Sequence, residues 1–289
     1  MDADLDLLLT TVYCTADDLL PQRPDNARRR VTDAEVVPLC VAQAIMGIPS
    51  DRRFLAVARK RLGHLFPQLP GQPGYFKRRR KLADTLEWLM GVFASQSPGF
   101  YDDLLLIDST PIECARSRET VKRSALGDAA DYGWCASHSR FFWGFRLHAI
   151  FSPDGTPRAL QLASPKIDER DVGLKLLERC RRQGGEILLG DKGYAGRKFA
   201  HDVNERNATL IRPRRADEPG HGPHLAPIRQ RIESIFWTCK DILTLERHGA
   251  RTLTGLRERV LQRFCCLAAA ITPNHQLGRP SRALVNYIA

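Results

Sequence analysis

Two short apolar runs, each followed by an aspartate, constrain the fold of this chain more than any other feature. Leu104–Ile107 precedes Asp108, and Ile187–Gly190 precedes Asp191. Such runs are typical of strands that are buried on both faces of a parallel sheet. Because ligands of α/β sheets bind at the carboxyl ends of the strands, both aspartates are candidate functional residues at one edge. Either aspartate alone is equally compatible with a capping or turn role.

The patterns between and after these runs predict an α/β fold with a mixed sheet. Phe145–Phe151 alternates, and Ala159–Ala163 returns after the turn Ser152–Gly155, which together predict a hairpin. A helix over Asp168–Arg182 and a further strand over Ala208–Ile211 complete the pattern. Strands that alternate with helices in this way favour a mixed central sheet with helices on both faces.

The first part of the chain is predicted to be entirely helical. Thr32 and Glu35 form a capping box ahead of an apolar helix that ends at Gly47. The Pro- and Gly-containing stretch after Ser95 is interpreted as a linker. We therefore expect a helical domain over residues 1–97, an α/β domain over residues 98–275, and a loose carboxyl-terminal tail over residues 276–289.

The charge of the chain favours a polyanionic partner. The 289 residues carry 44 Lys and Arg against 33 Asp and Glu, for a net charge of +11, and only nine of the 44 are Lys. Arginine forks match phosphate groups, which favours nucleic acid, although a GC-rich genome also enriches arginine. One basic run lies in the helical part and is either a DNA contact or a solvated face: Lys77, Arg78, Arg79, Arg80 and Lys81.

Several protein classes are excluded by composition. No apolar stretch reaches the roughly 18 residues that a membrane-spanning helix needs, and the acidic start is unlike a secretory signal. The eight cysteines contain no CxxC pair, which favours free thiols over a disulfide framework or structural zinc site. These features predict a soluble protein of the cytoplasm.

A third acidic candidate, Glu233, lies in the last helical region. Arg229, Glu233 and Lys240 share one helix face, which is also the pattern of a solvated ion-pair face. Trp237, one turn after Glu233, is interpreted as a core residue or as a platform for an unpaired base.

Four motifs, in their order and spacing, resemble the DDE transposases of bacterial insertion sequences, within the RNase H-like superfamily. The similarity is strongest to the insertion sequence 982 family and covers roughly residues 30–272. The motifs are Leu105–Pro111, Leu188–Tyr194, Arg229-x3-Glu233-x6-Lys240, and the opening Val31–Glu35 continued by Ser50–Phe54.

The resemblance implies an RNase H-like catalytic domain and an amino-terminal DNA-binding domain. It implies that Asp108, Asp191 and Glu233 are the catalytic triad and bind two Mg²⁺ ions, with Mn²⁺ as a substitute. Two such ions stabilise the attacking and leaving oxygens of phosphodiester cleavage. The 83 positions between the aspartates and the 42 between Asp191 and Glu233 leave no room for a large inserted domain before the last acid.

The resemblance also implies partners. Arg229 and Lys240 are assigned to backbone phosphates near the cut ends, and Lys192 and Trp237 are further candidate DNA-binding residues. Related families often carry a tyrosine three positions before the arginine, where this chain has Ala226. The expected partners are double-stranded DNA, as terminal inverted repeats and target, and a second copy of the chain in a homodimer. A nuclease without joining activity and a non-catalytic repressor are the alternatives.

Overall fold

The computed structural model of the chain describes residues 3–21, 30–135, 139–215, 218 and 225–288. It forms two compact units, one made of Met1–Phe93 with Thr238–Ala289 and the other of Ala94–Trp237. Among the described helices, none is long and apolar enough to cross a membrane. Six of the eight cysteines are buried, Cys114 is partly buried and Cys14 is exposed.

The first unit is helical and is built around one wholly buried helix. The capping box on α2 is confirmed, since Thr32 Oγ1 accepts a hydrogen bond from the Glu35 amide at 3.1 Å. Gly47 adopts φ +61° directly after the helix, as expected for a glycine that ends a helix. A helix that is apolar on all sides belongs in a core, and α2 packs against α1, α4 and α10. The helices are α1 (Ala3–Leu19), α2 (Asp33–Ile45), α3 (Asp51–Arg61), α4 (Gln72–Lys81), α5 (Ala83–Ser95) and α10 (Leu253–Gln276).

The carboxyl-terminal segment differs from the predicted division. Helix α10 belongs to the helical unit, and the predicted tail ends in a 3₁₀ turn over Leu284–Tyr287 whose first and last side chains are fully buried. The Tyr287 hydroxyl donates to Asn274 Oδ1 at 2.8 Å, and Gln262 Nε2 donates to the Cys40 carbonyl at 2.8 Å. Gln262 and Cys40 are 222 positions apart, and sequence patterns, which are local, do not predict such a contact.

The second unit contains one six-stranded sheet, and its mixture of parallel and antiparallel strands is as the sequence predicts. The strand order is β4-β3-β1-β5-β6, and β2 pairs with the first half of β3. The pairs β4–β3, β3–β1 and β2–β3 are antiparallel, whereas β1–β5 and β5–β6 are parallel. The elements are β1 (Leu104–Ala115), α6 (Arg118–Lys122), β2 (Asp131–Cys135), β3 (Arg140–Phe151), β4 (Pro157–Ala163), α7 (Glu169–Arg179), β5 (Glu186–Leu189), α8 (Arg197–Asn204), β6 (Ala208–Ile211) and α9 (Ala226–Asp241), whose last residues enter the helical unit.

Two strand features differ from the sequence prediction. Strand β1 continues through Asp108 to Ala115, because its second half pairs with β3 even though its pairing with β5 ends at Leu106. Strand β2 was not predicted. A half-buried strand usually has polar residues on its exposed face, whereas the exposed residues of β2 are the aromatic Tyr132 and Trp134.

Helices cover both faces of the sheet. Helices α7 and α8 pack on the face that carries Leu105, Ile107 and Ile150. Gly173 allows α7 to approach closely, because a Cβ there would lie 3.1 Å from Ile107 Cδ1. On the other face, the Phe236 ring of α9 meets Phe151 edge-on, with centroids 5.5 Å apart.

Gly144 in β3 provides a test of the sheet geometry. Its φ is +156°, and a Cβ would lie 2.1 Å from the Ile112 carbonyl oxygen beside the bulge in β1. We expect Gly144→Ala to lower the free energy of unfolding by about 2–3 kcal/mol through steric overlap. Urea unfolding measures the change. Gly127→Ala, where the nearest atom is 3.5 Å away, should lie within about 0.5 kcal/mol of the parent chain. Equal stability of the two variants would contradict the geometry.

Candidate active site

The two predicted aspartates meet at one edge of the sheet. Strands β1 and β5 are parallel neighbours in which Leu104, Leu105 and Leu106 pair with Ile187, Leu188 and Leu189. Asp108 lies two residues after Leu106 and Asp191 two residues after Leu189, so both follow the paired segments at the same edge of the sheet. Both side chains are half-buried.

The glycines around Asp191 position its carboxylate. A Cβ at Gly190 would lie 2.8 Å from Tyr194 Cδ2, so the glycine makes room for the buried tyrosine ring. Asp191 Oδ1 accepts a hydrogen bond from the Gly193 amide at 2.8 Å and caps a short 3₁₀ turn. The motif Gly190–Tyr194 therefore turns the chain sharply while holding the carboxylate at the edge.

Glu233 lies on a helix that covers the same face of the sheet as Asp108. Leu106 and Phe151 are directly opposite in the antiparallel ladder and share a face, and Asp108, two residues after Leu106, shares it too. Phe236 of α9 packs on Phe151, and Glu233 lies one turn before Phe236. The Glu233 side chain is exposed.

A fourth carboxylate, Glu169, lies at this edge and was assigned from sequence only to a helix start. Its Oε1 accepts a hydrogen bond from Ser109 Oγ at 3.3 Å and lies 3.1 Å from Arg146 Nη1. A Cβ at Gly193 would lie 2.9 Å from Asp191 Oδ1 and 3.0 Å from Glu169 Oε2, so these two carboxylates border the same small space. Glu169 and its partner Arg146 are therefore part of the candidate site.

The position of Glu169 at this edge follows from the order of the strands, which local residue patterns do not give. Strands β1, β3 and β4 are successive antiparallel neighbours, so β4 runs parallel to β1 and ends at the same edge of the sheet. Helix α7 begins shortly after β4, which brings its first residue, Glu169, to that edge. A prediction that β4 and β1 both pair with β3 would have placed Glu169 at the same edge of the sheet as Asp108 and Asp191.

Burial and charge shape the ionisation of this edge. Burial raises the pKa of Glu169 and the charge of Asp191 raises it further, while Arg146 lowers it. Burial also raises the pKa of Tyr194 well above its ordinary value, and the charges of Asp108, Glu169 and Asp191 add to the rise. The Tyr194 hydroxyl is buried without a hydrogen-bond partner in the described part of the chain.

The neighbouring histidine is uncharged at neutral pH. His148 pairs with Ser109 across the ladder and is fully buried. Burial lowers its pKa to about 4, and the charge of Arg146 contributes to the shift. Arg146 is therefore the cation that faces the carboxylates from β3.

The donor chemistry of the edge suits a hard divalent cation, but the acids are not gathered into a metal site. Carboxylate oxygens are the ligands that Mg²⁺ and Mn²⁺ prefer. Within the residues that the structure describes, no group of three or more His, Cys, Asp and Glu side chains is arranged to hold a metal ion. Asp108 and Asp191 follow the paired segments of β1 and β5, and Glu233 lies on the helix that packs on the face carrying Asp108.

The predicted DNA contact at Arg79 is wrong. Arg79 is only 1% exposed, and its guanidinium donates to Gln43 and Asp51 at 2.9 and 2.8 Å. Its Nε lies 2.9 Å from Glu258 Oε1, in an ion pair without hydrogen-bond geometry. The helix turns every 3.6 residues, so a run of five basic residues cannot all face solvent, and Arg79 takes the inward position.

The other members of this basic run remain closer to the surface. Lys77 and Lys81 are exposed, and Arg80 stacks over Phe76 with 5.5 Å between the guanidinium carbon and the ring centroid. Arg78 is engaged by Asp33 and by the Val31 carbonyl. Lys77, Arg80 and Lys81 are therefore the accessible cations of the run.

The remaining candidate DNA-binding residues lie on α9 and in the turn that follows Asp191. Trp237 is 62% exposed, so the interpretation as a core residue is wrong, and its ring is accessible for stacking. Lys240 forms an ion pair with Glu246 at 3.1 Å, and the Lys192 side chain is exposed. Arg229 lies in α9, and its side chain is outside the described residues.

Comparison with known proteins identifies the family. The model of the transposase DDE domain family matches residues 100–269, which is more than half of the chain. The chain belongs to this family. The mixed sheet with helices on both faces, together with the helical amino-terminal part, confirms the predicted α/β fold. The predicted resemblance to DDE transposases is confirmed as well.

A solved transposase structure is also similar to this chain. A cryo-EM structure of a piggyBac transposase synaptic complex with hairpin DNA matches with a TM-score of 0.46 and 10% sequence identity, covering 100% of this chain and 76% of that chain. No curated protein matches this DDE transposase domain protein.

Proposed function

We propose that this chain is a transposase that binds the terminal inverted repeats of its insertion sequence and catalyses metal-dependent cleavage and transfer of DNA strands. The observation that supports the proposal is the parallel pairing of β1 with β5, which directs the segments that carry Asp108 and Asp191 to the same edge of the sheet within the matched family domain. The packing of α9 on the face that carries Asp108 supports Glu233 as the third acid.

The chemistry follows from the carboxylates. Asp108, Asp191 and Glu233 would hold two Mg²⁺ ions, for which Mn²⁺ can substitute. Bound ions would stabilise charge on the attacking and leaving oxygens of the phosphodiester. Glu233 must approach the aspartates to complete this set. Arg146 offsets part of the negative charge that Glu169 adds, which allows carboxylates to lie close together at the edge.

The same proposal assigns the DNA contacts. Arg229, Lys240 and Lys192 would bind backbone phosphates of double-stranded DNA, and Trp237 would stack on an exposed base. The accessible cations of α4 would contribute to binding of the repeat ends. Because two ends must be joined to one target, we propose that a homodimer forms on DNA, in the cytoplasm at the nucleoid.

The direct test supplies purified protein with linear DNA that carries the repeats flanking its gene. We expect Mg²⁺-dependent nicks at the repeat ends and, with pre-cut ends that have free 3′-hydroxyls, joined products. Cleavage without joining would reduce the function to a nuclease. Binding without either reaction would indicate a repressor and overturn the proposal.

Replacement of Glu233 tests the third acid. We expect Glu233→Gln to slow cleavage by about 10²–10³-fold, since loss of a metal ligand removes several kcal/mol of charge stabilisation in the transition state. Binding of the repeat DNA, measured by fluorescence anisotropy, should be retained. Glu205→Gln, an exposed glutamate at the end of α8, is the matched control and should cleave normally. Normal cleavage by Glu233→Gln would remove this residue from the triad.

A further inference from the structure

The β2–β3 hairpin exposes three large aromatic side chains. Tyr132 and Trp134 are 46% exposed and Phe141 is 70% exposed. Trp134 and Phe141 are directly opposite in the ladder, with ring centroids 4.8 Å apart and planes at 66°. Grouped exposed aromatics on one element are costly in water and are typical of binding surfaces. We call these three residues the aromatic platform.

The aromatic platform is tied to the acidic edge by one arginine. Arg146 Nη2 donates to the Trp134 carbonyl at 2.7 Å. Its Nη1 donates to Ser109 Oγ at 3.1 Å and lies 3.1 Å from Glu169 Oε1. A single guanidinium thus spans the distance between β2 and the carboxylates, so a strand at the edge would reach the platform within a few nucleotides.

Two exposed arginines lie next to the aromatic platform, Arg140 at the start of β3 and Arg116 directly after β1. Arg116 and Arg140 share one carboxylate, that of Glu113, at 3.3 and 3.4 Å. Their side chains are 85% and 46% exposed. Because both guanidinium groups are exposed and share a single carboxylate, each keeps N–H donors available for a phosphate. Aromatic faces for bases, alternating with cations for the backbone, are typical of single-strand binding surfaces.

We propose that Tyr132, Trp134 and Phe141 stack on unpaired bases of a single DNA strand that extends from the acidic edge. The proposal deepens the proposed function and rests on it, because it assigns the platform to the strand that the acids would cut. Its ligand is single-stranded DNA rather than a duplex, since only unstacked bases present their faces to aromatic rings. The separate candidate at Trp237 lies on α9 and is not part of this surface.

The test measures binding of a labelled 12-nucleotide oligothymidine and of a blunt duplex to the full chain in EDTA, so that no metal chemistry contributes. We expect Trp134→Ile to bind the single strand about 10-fold more weakly and the duplex unchanged, because loss of one stacking partner has effects of this order. Isoleucine keeps the strand-forming character of the position, and Trp134→Phe should restore most of the binding. Thermal unfolding confirms that each variant is folded.

Trp88→Ile is the matched control, since Trp88 is exposed to a similar extent, 44%, and lies on α5. It should bind both DNAs normally. Unchanged single-strand binding by Trp134→Ile, or an equal loss for single strand and duplex, would overturn the inference. Failure of the proposed function would look different, because a chain that cannot cleave repeat DNA would still show the Trp134 effect in EDTA.

Discussion

Replacement of Asp108 or Asp191 by asparagine is expected to reduce cleavage of repeat DNA by at least about 10³-fold. Each aspartate would contribute a negatively charged oxygen to a metal that stabilises several kcal/mol of transition-state charge, and the amide of asparagine carries no charge. Asparagine keeps the shape of the side chain and its acceptor oxygen, so the hydrogen bond from the Gly193 amide to residue 191 should persist.

Two measurements separate loss of chemistry from loss of structure. Duplex affinity should be equal or higher in both variants, since a negative charge that repels phosphate has been removed. Calorimetric titration with Mg²⁺ in the presence of repeat DNA should show weaker metal binding. Asp128→Asn, an exposed aspartate, is the control and should cleave normally. Cleavage by either active-site variant at a rate within tenfold of the parent chain would exclude that aspartate from catalysis.

The second large effect is expected in the helical unit. Arg79→Met should lower the free energy of unfolding by about 3–5 kcal/mol, because removing one partner leaves Asp51 and Glu258 with uncompensated buried charge. Arg259 also binds Asp51, at 2.8 Å, so part of the compensation remains. Urea unfolding followed by circular dichroism measures the loss.

The neighbour Arg80 supplies the control for this prediction. Arg80→Met removes a half-exposed cation that stacks on Phe76, and we expect a change of less than about 1 kcal/mol. The two variants should also differ in DNA binding, where Arg80→Met should weaken affinity and reduce its salt dependence. A stable Arg79→Met protein with weakened DNA binding would instead restore the original interpretation of this arginine.

The comparison of these two arginines shows what sequence could and could not predict. The apolar runs before Asp108 and Asp191 predicted two strands that are parallel neighbours in the structure, so the two aspartates follow these strands at one edge of the sheet. The cap at Thr32 was equally local and was confirmed. The inward direction of Arg79 depends on Glu258, which is 179 positions away in the chain, so no nearby pattern revealed it.

Exposure was the property that sequence predicted least well. Trp237 was interpreted either as a core residue or as a platform for an unpaired base. The buried face of α9 includes Ile232, Ile235 and Phe236, and Trp237 lies outside this face. Strand β2 was not predicted because its aromatic residues, Tyr132 and Trp134, face outward, where polar residues are expected. Glu169 was recognised only as a helix-starting residue, because its contacts with Ser109 and Arg146 arise from strand order rather than from neighbours in sequence.

The discontinuous composition of the helical unit has a consequence for biosynthesis. Helix α2 needs α10 to cover it, and Asn274 needs Tyr287, so the amino-terminal helices leave the ribosome long before their partners exist. The α/β unit is translated in between. The nascent chain must therefore keep an apolar helix from aggregating until α10 has been translated.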